Sequence, residues 1–200
     1  MVKTGDWIKQ GWELVKQDLG MHIVICLVLF LISGTGIGEL LLPTLMCGWM
    51  WVFLQKMRDP NYKVAIGDVF SKGFEVFVPS LVAGLLIGLF SSLGAIACFV
   101  GSIVVYALLM FALPLIIDRR MEFWPAIQLS LETTQANWFP WSLFVLVLGL
   151  LQLAGAIPCG LGLLITLPIQ VAAITIAYKE TFGAADAAPA APEAPAAPPV

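Results

Sequence analysis

Charged positions along this chain fall into short clusters separated by long apolar runs. Asp18 is followed by 20 uncharged residues up to Glu39 and by 16 more up to Lys56, then 42 run from 76 to 117 and 46 from 133 to 178. A bilayer-crossing helix needs about 20 mainly apolar residues at a rise of 1.5 Å each. The last two runs are each long enough for two passes and predict helical hairpins. The first, from Met21 to Leu54 with Glu39 near its middle, predicts a shorter hairpin.

An amphipathic stretch precedes each hairpin. Ile8, Trp12, Val15 and Leu19 repeat at helical spacing beside Lys9, Glu13 and Lys16; Ile66, Phe70, Phe74 and Phe77 do the same in the second, and Trp124, Ile127, Leu131 and Trp138 approximately so in the third. Pro125 suits a first helical turn. Aromatic residues on one face and charges on another fit the headgroup boundary and predict interfacial helices. The whole reads as an all-α integral membrane protein of six transmembrane helices in three hairpins.

Composition agrees, with 60% apolar and 12% charged residues and a mean hydropathy of +0.95, against about half and a quarter in ordinary soluble domains. The ten basic residues are Lys3, Lys9, Lys16, Lys56, Arg58, Lys63, Lys72, Arg119, Arg120 and Lys179. Six spans put all of them on one side, whereas one span fewer scatters them over both. The positive-inside rule then places both termini in the cytoplasm of a bacterial inner membrane. The first 18 residues do not have the pattern of a cleavable signal peptide. A net charge of −3 argues against a strongly basic nucleic-acid surface.

A shift of 61 residues aligns VPSLVAGLLIGLFSSLGAIACFVG (78–101) with FPWSLFVLVLGLLQLAGAIPCGLG (139–162) without a gap and with nine identities, among them Pro79 with Pro140, Gly88 with Gly149 and Cys98 with Cys159. SGTGIGELLLP at the first hairpin tip is a weaker echo. Three repeats running in parallel, about 1–58, 62–120 and 121–183, are expected. From 184 to 200 the chain is mostly Pro and Ala, which predicts a disordered cytoplasmic tail able to carry a protein partner.

Candidate chemistry is sparse. Cys26, Cys47, Cys98 and Cys159 include no CxxC pair, and His22 is the single histidine, so neither a metal nor another cofactor is expected. Cys98 and Cys159 occupy equivalent repeat positions near the outer side, where a disulfide is conceivable. Glu39 is the one acid expected away from the cytoplasm, solvated at a Gly-rich tip. His22 reads as a polar residue at the inner boundary, and Asp118, Arg119 and Arg120 as an interfacial cluster able to pair. Intramembrane polar candidates are Gln152 and Gln170, with Ser91, Ser92, Pro114 and Pro168 beside them. Gly84, Gly88, Gly155, Gly160 and Gly162 fit close helix packing or tip geometry. No Gly-rich phosphate loop, HExxH motif or nucleophile–base arrangement is present to suggest an enzyme.

FALPLIIDRRMEFWPAIQLSLETTQANW, followed by a hairpin ending GLGLLITLPIQVAAITIAYKETFG, resembles uncharacterised bacterial membrane proteins similar to the membrane domain fused to some glycerophosphoryl diester phosphodiesterases. Pro114, Asp118, Trp124, Ala126, Ser130, Asn137, Trp138, Pro168 and the segment from Tyr178 to Gly183 carry the resemblance. It implies a cell-envelope membrane protein; the phosphodiesterase activity does not carry over, because the catalytic domain is missing. The expected function is a non-enzymatic accessory or scaffold protein that contacts membrane lipid, with a small transporter or channel formed by the three hairpins as the alternative.

Overall fold

A computed structural model of the chain describes residues 2–34, 38–97, 99–157 and 160–183. Ten helices and no strand occur among them: α1 (Thr4–Gln17), α2 (Leu19–Ser33), α3 (Gly38–Arg58), α4 (Ile66–Glu75), α5 (Phe77–Ala97), α6 (Phe99–Leu109), α7 (Ala112–Arg119), α8 (Phe123–Gln135), α9 (Trp138–Ala156) and α10 (Leu163–Phe182). Five stretches are long and apolar enough to cross a membrane: Leu40–Arg58, Phe77–Gly94, Val100–Arg119 in α6 and α7 together, Trp138–Ala156 and Leu163–Phe182. The pair α1 and α2, bent by 96° at their break, makes a sixth if it is counted as one span. The 15 residues of α2 give about 22 Å of helix, less than the roughly 30 Å of a hydrocarbon core. In the region where the charges predict a short first hairpin, α3 is long enough to cross by itself and α2 is not.

Interruptions set the geometry. Asp18, Val76 and Asn137 each separate an amphipathic helix from an apolar one, with φ, ψ of −132°, 39°, of −117°, 30° and of −131°, 41°. The break between α6 and α7 has a side-chain cause. Ser130 Oγ donates to the Leu108 carbonyl (2.7 Å) and accepts the Phe111 N–H (3.3 Å), while Thr134 Oγ1 also donates to Leu108 (3.0 Å). Both hydroxyls come from α8.

Packing between helices follows one order around the bundle. The amphipathic helices α4, α8 and α1 rest on α3, α6 and α10, and the apolar helices α5, α9 and α2 pack against the same three partners in turn. In the spans that contain α3, α6–α7 and α10, 56%, 50% and 61% of the stretch is buried, against 17% for α5 and 22% for α9. The helices α3, α6–α7 and α10 thus lie inside, and α5 and α9 outside. Trp49, Phe53, Phe111, Phe144 and Tyr178 fill the interior.

Small residues let the backbones approach. A methyl group on Gly11 would lie 3.2 Å from the Ile169 carbonyl oxygen of α10, and one on Gly48 of α3 would collide with the Val69 carbonyl of α4. The inward faces of α1, α4 and α8 carry small or short-chain residues four apart, Gly11 with Val15, Val69 with Gly73 and Ser130 with Thr134, beside the larger Trp7 and Ile127. Phe74 of α4, Trp124 of α8 and Trp138 at the start of α9 are exposed, whereas Trp7 of α1 is buried.

Candidate functional site

Apolar residues dominate the outer surface. Leu27, Leu31, Leu85, Leu89, Leu146 and Leu150 project from α2, α5 and α9, joined by Leu93, Leu143 and Leu153. Exposed side chains at successive turns make continuous stripes, which water does not tolerate over such an area and lipid does.

Inside, the two intramembrane glutamines meet. Gln152 Nε2 on α9 donates to Gln170 Oε1 (2.5 Å) and to the Thr166 carbonyl (3.0 Å), and Thr166 Oγ1 donates to Gln152 Oε1 (2.8 Å). Pro168 in the middle of α10 has no N–H, so the carbonyl that lacks its helical donor is that of Leu164, four residues earlier, and the Gln152 bond to the Thr166 carbonyl comes in addition to the helix's own bonding. The arrangement ties α9 to α10 and leaves the amide groups engaged with each other.

At the ends of the inner helices a charged cluster forms. Arg58 donates to Asp118 Oδ1 (2.7 Å) and Tyr178 Oη donates to Asp118 Oδ2 (2.8 Å), so one carboxylate joins α3, α7 and α10. Lys179 Nζ donates to the Met57 carbonyl (3.4 Å) and Arg119 to the Phe182 carbonyl (3.1 Å). Arg120 pairs with Glu75, which also holds Lys72 at 2.6 Å. These two cations keep the Glu75 carboxyl below the ordinary carboxylate range, Lys72 contributing first. Burial, reinforced by a hydrogen bond to Asp68, pushes the Tyr62 phenol up.

The expected residues take these places. His22 is buried between helices, accepts the Trp49 Nε1 hydrogen at 3.1 Å and stacks on Phe53 with ring centres 4.8 Å apart. Asp118 pairs with Arg58 from another hairpin rather than with its neighbours Arg119 and Arg120. Glu39 stands in the first turn of α3. Cys98 and Cys159 lie outside the described residues, while Cys26 and Cys47 are buried free thiols. Ser92 Oγ donates to the Gly88 carbonyl of its own helix (2.8 Å). Gly84 faces Pro43 and Gly155 faces Thr166, whereas Gly160 has φ of 77° in the turn before α10. No group of three or more metal-ligating side chains occurs among the described residues.

Two apolar clefts open between outer and inner helices. One of about 430 Å³ lies between α3, α5 and the α6–α7 span, lined by Met46, Met50, Gly84, Ser91, Tyr106 and Met110. The other, about 160 Å³, is lined by Cys26, Leu29, Phe30, Ser33 and Met46 with Leu167 of α10. Ser91 Oγ is buried without a hydrogen-bond partner. Sequence reasoning gave no sign of the clefts, since methionine and glycine in a span carry no polar signal.

No family model matches the chain, and neither a curated protein nor a solved structure is significantly similar to it.

Proposed function

We propose that this chain is a non-enzymatic accessory or scaffold protein of a bacterial inner membrane, with both termini in the cytoplasm and lipid as its principal contact. The observation that carries the reading is the apolar outer surface of α2, α5 and α9, with Phe74 of α4 and Trp124 of α8 exposed beside it. The basic residues cluster where α1, α4 and α8 meet the ends of α3, α7 and α10, as the pairs Arg58–Asp118, Arg120–Glu75 and Lys3–Glu180 join these segments. The positive-inside rule makes that end cytoplasmic. The proposed kinship with membrane domains of the glycerophosphoryl diester phosphodiesterase type rests on Pro114, Asp118, Asn137 and Pro168. The segment 184–200 is a spacer with room for a protein partner.

Three parallel repeats are part of the proposal. Support comes from the shared backbone turn at Asp18, Val76 and Asn137 and from the cyclic packing, in which α1 of the first hairpin closes onto α10 of the last. A central pore is disfavoured by Trp49, Phe53, Phe111 and Tyr178 in the interior and by glutamines that satisfy each other. The transport alternative keeps one favourable observation, the cleft of about 430 Å³ beside Ser91.

Reconstitution separates the two. Purified protein in liposomes is expected to leave small polar solutes and ions at the leak rate of empty vesicles. Protein-dependent flux that Gln152→Leu or Ser91→Leu removes contradicts the scaffold reading and favours transport.

A further inference from the structure

Between the outer helix α5 and the inner helices α3 and α6–α7 lies the cleft of about 430 Å³, whose wall includes Leu42, Met46, Gly84, Gly88, Tyr106 and Leu113. Position along the spans fixes its depth. Met46 stands 6 residues past Leu40, Gly88 11 past Phe77 and Tyr106 6 past Val100, each counted from the first residue of its span. At 1.5 Å per residue these side chains start about 9 to 16 Å from a span end, near the middle of a hydrocarbon core of roughly 30 Å. At that depth a bilayer offers neither headgroups nor water, only chains.

Two glycines one turn apart shape the opening. A methyl group on Gly84 would collide with the Pro43 ring, so α5 and α3 touch there, whereas one on the exposed Gly88 would meet nothing within 4 Å. Leu85 and Leu89 beside it are exposed, so the cleft opens onto the lipid-facing stripe of α5. The floor is made by Met50 and Met110, which are buried. Ser91 belongs to the lining, but its hydroxyl is buried and offers nothing to an occupant. Methionine is unbranched and polarizable and moulds itself to a partner without fixed shape. An apolar groove left empty loses dispersion contacts along its walls, and water does not fill it.

We propose that this cleft holds one acyl chain of a bilayer glycerophospholipid. A volume of about 430 Å³ accommodates roughly fourteen groups of about 30 Å³, a water's share of the liquid and close to that of a methylene. That is the bulk of one chain and not of two. The site recognises the chain and is indifferent to the headgroup, which stays at the membrane boundary. A chain lodged there also closes the cleft to polar solutes, which takes from the transport alternative the observation in its favour. The proposal rests on the lipid-contacting reading and adds to it a single place and a stoichiometry.

The test places the full chain in bilayers of phosphatidylethanolamine and phosphatidylglycerol with a trace of phosphatidylethanolamine that carries a diazirine in the second half of one chain. Labelled residues are mapped by mass spectrometry after illumination. Labelling is expected at Met46 and Tyr106 as well as at the exposed leucines of α5 and α9. Gly88→Leu fills the opening and should lower labelling of Met46 and Tyr106 about tenfold, the penalty of overpacking one side chain into an occupied space, while Leu150 stays as it was. Leucine at an open helical glycine favours the helix, and Gly88→Ala, read beside it, should give a smaller loss. Gly149, 61 residues on at the equivalent repeat position, also has nothing within 4 Å and lines neither apolar cleft. Gly149→Leu should therefore leave Met46 labelling unchanged. A free fatty acid with the same diazirine should label Met46 no better than the phospholipid. Labelling confined to outer leucines, equal effects of Gly88→Leu and Gly149→Leu on Met46, or preference for the fatty acid overturns the acyl-chain site while leaving general lipid contact standing. Labelling of no outer leucine overturns that broader reading as well.

Discussion

Replacing Gln152 by Leu should destabilise the bundle without altering its topology. The substitution removes three hydrogen bonds: to Gln170 Oε1 at 2.5 Å, to the Thr166 carbonyl at 3.0 Å and from Thr166 Oγ1 at 2.8 Å. Side-chain hydrogen bonds between membrane helices average about 0.6 kcal/mol each, so the three together contribute about 2 kcal/mol. Gln170 is left without its partner amide, which adds to the loss, whereas Gln152→Leu with Gln170→Leu removes both polar groups and should recover part of it. A double-mutant cycle measured by reversible unfolding in mixed micelles should give a coupling of about 1 kcal/mol between the two glutamines. A single substitution that leaves stability within experimental error, with zero coupling, refutes the idea that these glutamines act as structural ties. It would return them to the list of transport candidates.

Gly48→Ala places a methyl group on the Val69 carbonyl and should cost about 2 kcal/mol by forcing α4 away from α3, seen as faster proteolysis around 59–65. Trp49→Phe removes the donor to His22 Nδ1 inside the bundle and should cost about 1 kcal/mol in the same unfolding assay, more than Trp51→Phe, whose ring lies at the surface of the Tyr62 contact. Glu75 has its carboxyl held below the usual range by Lys72 and Arg120. Its contribution is therefore fully present above the unfolded value of about 4.3 and is lost as pH falls through the lower folded value. Hydrogen exchange at the start of α8 should accelerate only below about pH 4.3, and Glu75→Gln should remove that step.

The hairpins were legible because charge clusters delimit them: nothing but a pair of spans fits 42 or 46 uncharged residues in a row. Which helix of each hairpin lies inside was not, because both are uniformly apolar and carry almost no one-sided pattern. The distinguishing signal is in the amphipathic helices, and it is small residues rather than large ones. Reading Ile8, Trp12, Val15 and Leu19 as a stripe overlooked Trp7 and Gly11, the residues that meet α9 and α10. Gly11 with Val15, Val69 with Gly73 and Ser130 with Thr134 are spaced by four, the membrane packing pattern, and could have been recognised. Asp118 was expected to pair locally because two arginines follow it; only the closure of the bundle brings Arg58 from 60 residues away. The partners of His22 were hidden for a similar reason. Its nearness in sequence to Lys16 and Asp18 suggested the boundary and gave no sign that the side chain turns into the helix bundle, where it meets Trp49.

The central claim is that three hairpins cross the membrane with all amphipathic helices on one side. Single cysteines at Gly34, Leu161, Glu13 and Lys63 in a cysteine-free background, treated in intact cells with a membrane-impermeant maleimide, test it most directly. Gly34→Cys and Leu161→Cys should label from outside, and Glu13→Cys and Lys63→Cys only after the membrane is opened. Labelling of Lys63→Cys in intact cells, or protection of Gly34→Cys until permeabilisation, contradicts the three-hairpin topology.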